Sequence, residues 1–563
     1  MLFRSTFFLQ DLVKKVAYDT LSRKEAKALH LAAAAHLHSL GEEDEIVEVV
    51  AAHYLDAYEA APDDPDADKV KAEARAMLIR AGERAASLGA NAEAQARFED
   101  AAALADSPTV RAELLERSGT MAYAGTRADA AAQHFETAIR LFEAASDSHA
   151  AARVSARLAE VLWDRGRIEQ AIDRMDSAFQ VLVQDEPDAD LAALAAQLGR
   201  FMFFHGELAL ARERVETALD MAEALSLPEV LSEALNTKGI ILHAHERPRE
   251  GLTLLRYALE VALEHDKPSA ALRAYYNLAD SLARGDRFEE AAATARDGLE
   301  LARRVGNRYW EWSFMAQMYA PFALGEWDEV LAMRAELPEE DWAQARLAFA
   351  GLPATCVPIE VHRGQLAQAE ALMAMLAELE TSADVQERMQ YACGKARVLL
   401  AQGRAGEALA AAEASMGARE VIGISSEAVK EAFVASVEAA LALDDLDKAQ
   451  ELLAIVEALP PGRSPQFLQA QAARFRAALA ARSGAAEEVE RLFKQSAGRF
   501  RELSVPFYLA VSLLGHGEWL VGQDRTDEAE PLLAEAREIF ERLQARPWLE
   551  RVDRVARREQ VPA

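Results

Sequence analysis

The sequence predicts an all-α protein, a right-handed α-α superhelix (solenoid) of about 12 helix pairs with a short helical N-terminal segment, on three observations. First, 563 residues exceed what one compact core accommodates, so the chain either divides into domains or grows by repetition. Second, the composition is that of helices: Gly (27) and Pro (18) are scarce, aromatics make up 7%, and Ala, Leu, Glu and Arg dominate. Third, one phrase recurs. In Gly166-Arg-Ile-Glu-Gln-Ala171-Ile-Asp-Arg-Met175-Asp-Ser-Ala178, a turn residue is followed after five positions by a small residue, after nine by a large apolar one and after twelve by another small one. It returns as Gly206, Ala211, Val215 and Ala218, as Gly89, Ala94, Phe98 and Ala101, and as Asp444, Ala449, Leu453 and Val456.

The residue at the fifth position marks the series Ala94, Ala131, Ala171, Ala211, Gly251, Ala291, Val330, Ala369, Ala408, Ala449, Val489 and Ala529, a first interval of 37 residues and then intervals of 39 to 41. Offsets of five, nine and twelve fall on one face of a helix, and small residues there let a neighbouring helix approach closely. Seven positions before each turn the preceding helix carries another small residue, as at Gly82, Gly119, Ala159, Gly199, Gly239, Ala279 and Gly517. Glycine inside a helix costs about 1 kcal/mol against alanine, so its return at one register points to a packing need. An apolar residue sits two past the turn in several repeats: Ile168, Leu208, Phe288, Trp327, Leu366 and Leu446.

These positions resemble the tetratricopeptide (TPR) signature over roughly residues 76 to 545. The period near 40 exceeds the usual 34, and the proline at the repeat end is mostly absent. Longer helices joined at Asp147, Pro187, Pro228, Pro268 and Gly306 account for the difference. This longer form is similar to the sensor region of bacterial maltose-activator regulators. Between residues 336 and 362 the pairs Leu337-Pro338, Leu352-Pro353 and Val357-Pro358 interrupt the helical period, which predicts an irregular bend between a first sub-array (76–335) and a second (363–545). Residues 546–563 read as a C-terminal tail.

Residues 1–60 lack the phrase, and 61–75, opening Ala61-Pro-Asp-Asp-Pro-Asp-Ala-Asp68, read as an acidic linker. The stretch Leu12-Val-Lys-Lys-Val-Ala-Tyr-Asp-Thr-Leu21 resembles the segment closing the ATPase module of bacterial regulators in which a class III adenylate or guanylate cyclase and a STAND/AAA ATPase precede a TPR array. Leu78 to Gly89, leading into Phe98, is similar to the first repeat of those proteins, while Gln10 stands where they usually have His. The resemblance implies that residues 1–60 are the helical end of such a module. The chain carries no phosphate-loop sequence, since Gly394-Lys395 is followed by Ala and lacks the earlier glycine.

The formal net charge of −31 opposes phosphate backbones, so neither nucleic acid nor a membrane is expected as a partner. Only two cysteines, Cys356 and Cys393, occur, and charges interrupt the first 20 residues where a signal peptide needs an apolar core; both fit a cytoplasmic protein. No cofactor, metal or catalytic residue is predicted. Asp64-Pro-Asp66-Ala-Asp68 begins like a calcium loop but lacks its glycine and has Arg75 where the bidentate Glu belongs. His243 and His245, like His36 and His38, are two apart on a helix and point away from each other. Neither cysteine has the His/Asn company of a nucleophile.

One feature points to binding. Tyr309, Trp310, Trp312, Phe314, Tyr319, Phe322 and Trp327 crowd seven aromatics into 19 residues. The TPR resemblance implies that the first helix of each repeat lines a concave groove. Counting back from the turns places Arg200 and Phe203, Asn236 and His243, Tyr276 and Asp280, and Trp312, Met315, Tyr319 and Phe322 on it. Aromatic anchors with a few polar donors suit a peptide, although the same rings would also fill space at a bend. The expected function is a protein- or peptide-binding scaffold, the sensory arm of a signalling protein. Each repeat would touch only its neighbours, leaving the array elastic along its length. The alternatives are a non-catalytic fragment of a cyclase or STAND ATPase and a small-molecule inducer sensor.

Overall fold

A computed structural model of the chain describes residues 21–39, 43–184, 186–244, 247–337, 349–382, 384–460, 462–483 and 486–559. All the regular structure among them is helical, and the twelve expected turns each lie between two helices. Ala67–Ser87 and Asn91–Ala103 flank Gly89, Pro108–Ala124 and Ala128–Ala144 flank Thr126, and the series runs on to Pro506–Val521 and Thr526–Leu543 around Asp524. The fold is therefore an array of TPR-like helix pairs.

Each described turn is made the same way. Of the twelve turn positions, Gly89, Thr126, Gly166, Gly206, Asp286, Gly325, Gly364, Gly403, Asp444 and Asp524 have positive φ, while Glu246 and Gly484 lie outside the described residues. A left-handed residue after a helix lets the next amide reach back to the unpaired carbonyls of the last turn. Thus Glu207 N–H donates to the Met202 carbonyl at 2.9 Å and Arg127 N–H to that of Ala122 at 2.8 Å. The second helix starts immediately beyond. Connections from one pair to the next use the same device at Ser146, Ser226, Asp266 and Gly306, 40 residues apart or a multiple of it.

The recurring small residues seat the large ones of the phrase. A Cβ built on Gly82 would lie 2.7 Å from the Phe98 ring; on Gly119, 2.6 Å from Phe135; on Gly199, 2.8 Å from Val215; on Gly239, 2.8 Å from Leu255; and on Gly517, 2.7 Å from Leu533. Each pair joins the position seven before the turn to the one nine after it. Two helices can approach this closely only if one side chain is missing.

The chain forms two compact units, one of residues 1–234 with 302–309 and the other of residues 235–301 with 310–563. In the first, Arg23–Ser39 and Glu43–Ala60 form a helix pair that packs onto Ala67–Ser87, burying Val47 and Val50, so the array begins before its sequence phrase does. The Leu12–Leu21 stretch and Gln10 lie outside the described residues but for Leu21 itself. The acidic linker needs correction: helix starts at Ala67, and Asp64 and Asp66 are the partners of Lys27, buried to 6% exposure, with Asp64 at 2.9 Å. Burying the ammonium requires such partners, which a count of carboxylates does not reveal. Later in the same unit, Asn91 donates to the Gly306 carbonyl at 3.0 Å, across 215 residues of sequence.

In the second unit the contacts also skip several repeats. Asp286 accepts from Lys430 at 2.6 Å and from the Phe467 amide at 2.9 Å, and the Arg363 guanidinium donates to the Leu543 carbonyl at 3.2 Å. Gly325 lies against Pro506, and Trp327, His362, Phe507 and Trp548 pack as one aromatic group. The expectation of nearest-neighbour contact alone is corrected here: the unit closes on itself, so its repeats do not extend independently. Part of the predicted bend, 338–348, lies outside the described residues; beyond it, Leu352–Ala354 is a 3-10 turn and Cys356–His362 a short helix before Gly364. Most of the expected tail is helix Arg546–Glu559, which buries Val552 and Val555. No described helix is long and apolar enough to cross a membrane.

Thr126 holds φ +62°, a region costly for a β-branched side chain. Thr126→Gly is expected to stabilise the chain by about 1 kcal/mol. An unchanged or lower urea midpoint would contradict this.

Candidate functional site

The first helix of the repeat turning at Gly325 is broken into Arg308–Met315 and Tyr319–Ala323. Pro321 is the cause. It has no N–H to give the Gln317 carbonyl, and its ring collides with that carbonyl in a regular helix. Beside the break lies a half-open cavity of about 70 Å³, lined by Tyr276, Asp280, Gln317, Tyr319 and Glu427 and by five alanines, Ala279, Ala283, Ala291, Ala316 and Ala320. The alanines leave the room, and the five larger residues supply the chemistry.

The lining is half polar, and its ionisable carboxyls make it net acidic. Asp280 accepts from Arg284 at 2.9 Å, and Arg284 also donates to the Ile422 carbonyl at 3.1 Å. Glu427 accepts from Gln390. Gln317 donates to the Tyr276 carbonyl at 2.8 Å, but its own side-chain oxygen is buried with no hydrogen-bond partner. The Tyr276 ring packs against Trp310 and Phe314, with centroids 5.7 and 6.0 Å away.

Of the ten residues expected to line a groove, three meet at this cavity: Tyr276, Asp280 and Tyr319. Trp312, Met315 and Phe322 are buried at 5%, 2% and 4% exposure in the hydrophobic core of the second unit, so these three are corrected from groove to core. The physical reason is that other helices of this unit pack over the face that a simple open array would leave bare. Asn236, also buried, accepts from Asn277 at 3.1 Å. His243 is half-buried, and burial lowers its pKa against the opposing pull of Asp280. His245 lies outside the described residues. Arg200 and Phe203 belong to the first unit, where Arg200 stands 3.6 Å from Glu160 and Phe203 packs edge-on to Phe204.

A charged ladder runs through the interior of the second unit, and nothing in the repeat pattern points to it. Arg474 donates to Glu438 at 3.0 Å, Arg397 to Glu438 at 2.7 Å and to Glu431 at 3.0 Å, and the Tyr508 hydroxyl to Glu431 at 2.6 Å. Tyr319 joins the cavity to this ladder, its hydroxyl donating to Glu431 at 3.3 Å. Burial works to lower the Arg397 pKa, but Tyr508, Glu438 and Glu431 together hold it well above the ordinary value. Burial likewise works to raise the Glu438 carboxyl, and Arg397 and Arg474 outweigh it and hold it low. Lys430, fully buried, reaches Asp286 and the Ala283 and Arg284 carbonyls that end the helix Pro268–Arg284. The available signal is Lys430, Glu431 and Glu438 inside an otherwise apolar helix, Glu427–Ala442, that is buried on nearly every side.

Burial pushes both the Cys356 and Cys393 thiols up to about 12, so neither is a thiolate at neutral pH. No family model matches the sequence, and no curated protein does. Solved helical structures do. The chain is similar to a Rap protein complexed with competence and sporulation factor, at 11% identity over 68% of this chain and 99% of that one, TM-score 0.42. It is also similar to a human IFIT1 dimer with m7Gppp-AAAA, at 13% identity over 69% of this chain and 90% of that one, TM-score 0.39. The apo form of RapI aligns at 13% identity over 55% of this chain and 97% of that one, TM-score 0.32. At these identities the likeness concerns the helical fold alone.

Burial lowers the His362 pKa well below its ordinary value, with Arg397 adding to the effect, and burial lowers His243 and His516 as well. A histidine kept neutral by the fold gains its proton more readily when unfolded. Its contribution to stability is therefore complete above about pH 6.5 and is lost as pH falls below that value. His362→Phe keeps a ring between Phe507 and Trp548 and gives up the 3.4 Å hydrogen bond from the Trp548 indole. The variant is expected to lose less of its urea midpoint than wild type between about pH 7 and pH 5. Parallel losses would show that His362 does not carry the dependence.

Proposed function

We propose that this chain is a non-catalytic scaffold that binds a peptide or protein partner, the sensory or regulatory arm of a bacterial signalling protein. One observation carries the reading: the cavity at the broken helix combines an aromatic wall, two carboxylates and a buried amide oxygen without a partner. That set accepts hydrogen bonds and positive charge. The cavity therefore receives one basic side chain of the partner, its ammonium or guanidinium between Asp280, Glu427 and the Gln317 oxygen and its stem against Tyr276.

Size narrows the occupant. Sites for small organic ligands run from about 300 Å³ upward, whereas this cavity offers about 70 Å³. A side chain fits, and a whole sugar or nucleotide does not, which disfavours the inducer-sensor reading at this site. The net charge of −31 also draws a cationic partner and repels nucleic acid. The narrower reading, an arm or fragment of a cyclase or STAND ATPase regulator, rests on the sequence resemblance of the N-terminal segment and first repeat.

A peptide array of randomised sequences would identify binders, each then remade with its basic residue as Lys, norleucine or Glu and measured by fluorescence anisotropy. The Lys form is expected to bind at least about tenfold more tightly than norleucine, a difference of about 1.4 kcal/mol. Asp280→Asn/Glu427→Gln should erase that preference without changing helicity. Equal affinity of the three forms, or a preference that survives the double variant, would overturn the proposal.

A further inference from the structure

His30 and His53 face each other from the first two helices, Arg23–Ser39 and Glu43–Ala60. Their Nδ1 atoms are 3.0 Å apart, and Asp56 Oδ2 stands 3.5 Å from His30 Nδ1. All three ligand atoms lie within 4.8 Å of one another. His53 and Asp56, three apart, share one helix face, so a single helix presents both toward His30. We propose that His30, His53 and Asp56 form a site for a borderline divalent transition metal such as Zn²⁺.

The geometry is close to what such an ion requires. With Zn–N bonds of about 2.0–2.1 Å, two nitrogens in a tetrahedral shell stand about 3.3 Å apart, so the nitrogens part by a few tenths of an ångström and the rings, which now face each other head-on, turn until both lone pairs meet at the ion. Two imidazoles and one carboxylate suit a borderline ion, leaving its remaining positions to water. Without metal, the Nδ1 atoms share one hydrogen, one ring donating and the other accepting. On binding, the metal takes the place of that hydrogen and the donor ring shifts to its Nε2–H tautomer, with no net proton released. Lys27, one turn before His30 on the same helix, is held by Asp64 and Asp66, so its charge is offset. Half-buried histidines and an exposed Asp56 leave the site open to solvent.

A second cluster, His149 with Asp188 and Asp190, has similar spacing but is already committed. Asp188 caps the helix Ala189–His205 through the Leu191 amide at 2.9 Å, and Asp190 accepts from Arg153 at 3.3 Å. A metal there would have to displace a cap and an ion pair. At His30 the ion pair with Asp56 joins two members of the cluster itself, and the two clusters make a matched comparison.

The test is calorimetric titration of the full chain with ZnCl₂, beside His53→Ala, Asp56→Asn and His149→Ala. Wild type and His149→Ala are expected to bind one equivalent equally well, and His53→Ala and Asp56→Asn at least about tenfold more weakly. Because His53→Ala removes a helix–helix contact, circular dichroism must show unchanged helicity. If that variant unfolds, Asp56→Asn, a change at an exposed residue, decides between the outcomes. Co²⁺ gives a second readout, ligand-field absorption that appears with wild type and is lost in the two site variants. Absence of binding to wild type, or equal binding by wild type and Asp56→Asn, would overturn the site and leave the pair as a hydrogen bond between helices.

Discussion

The seating of a large apolar side chain against a glycine on the preceding helix is the constraint from which the architecture follows. Phe98 on Gly82 and Phe135 on Gly119 bring backbones together at a distance that tolerates no Cβ on one side. The two helices must then run antiparallel from a very short turn, and only a left-handed residue reverses the chain in that space. The phrase therefore has three fixed parts, whose spacing cannot drift without breaking a contact. Between repeats there is more latitude, and the joins are where prolines and serines enter. Beyond the first interval of 37, a period held at 39 to 41 residues is the sequence record of this mechanical coupling.

Local seating does not explain why the second unit closes. That falls to the charges it buries. Lys430 ties the end of one helix, Pro268–Arg284, to the turn residue Asp286, and Asp286 in turn receives an amide from the first turn of Gln466–Ser483. The aspartate thus serves as a left-handed turn residue, a counter-ion and a distant helix cap. Desolvating these groups is costly, and the cost is offset only where each finds its partners. Apolar faces pack in several registers; an ion pair with a helix cap permits one. The ladder from Arg474 to Glu431 fixes the helices in a similar way, with cations and carboxylates alternating along it.

The same distinction explains what is legible in the sequence. Helix pairs, turns and the small residues that seat them depend on contacts within about 40 residues, and a period reveals contacts of that range. Asp280 and Tyr276 sit at repeat positions on half-exposed faces, where a period alone can place a residue beside the cavity. Trp312, Met315 and Phe322 occupy equivalent positions, yet parts of the chain far away in sequence cover them, and no local pattern encodes that cover. His30 and His53 escape for a related reason. Each is ordinary on its own helix, and the only visible hint is His53 and Asp56 at a spacing of three. Lys27 shows the reverse error, since its burial turns two linker aspartates into structural partners.

Closure also bears on how a scaffold of the proposed kind would report a bound partner. An open array held only by neighbouring contacts bends like a spring, spreading a small strain over many repeats. The second unit is tied across repeats, so a strain introduced at one point meets fixed partners at once. Tyr319 is where this matters: its ring lines the cavity, and its hydroxyl is bonded to Glu431, which also holds Arg397 and Tyr508. A cation entering beside Tyr319 changes the field at a carboxylate already balanced between an arginine and two phenols. In an interior of low dielectric such a change is felt strongly over a few ångströms. On the proposed function, occupancy of the cavity would act on the charged ladder first and on helix curvature second, which is the behaviour of a lock and not of a spring.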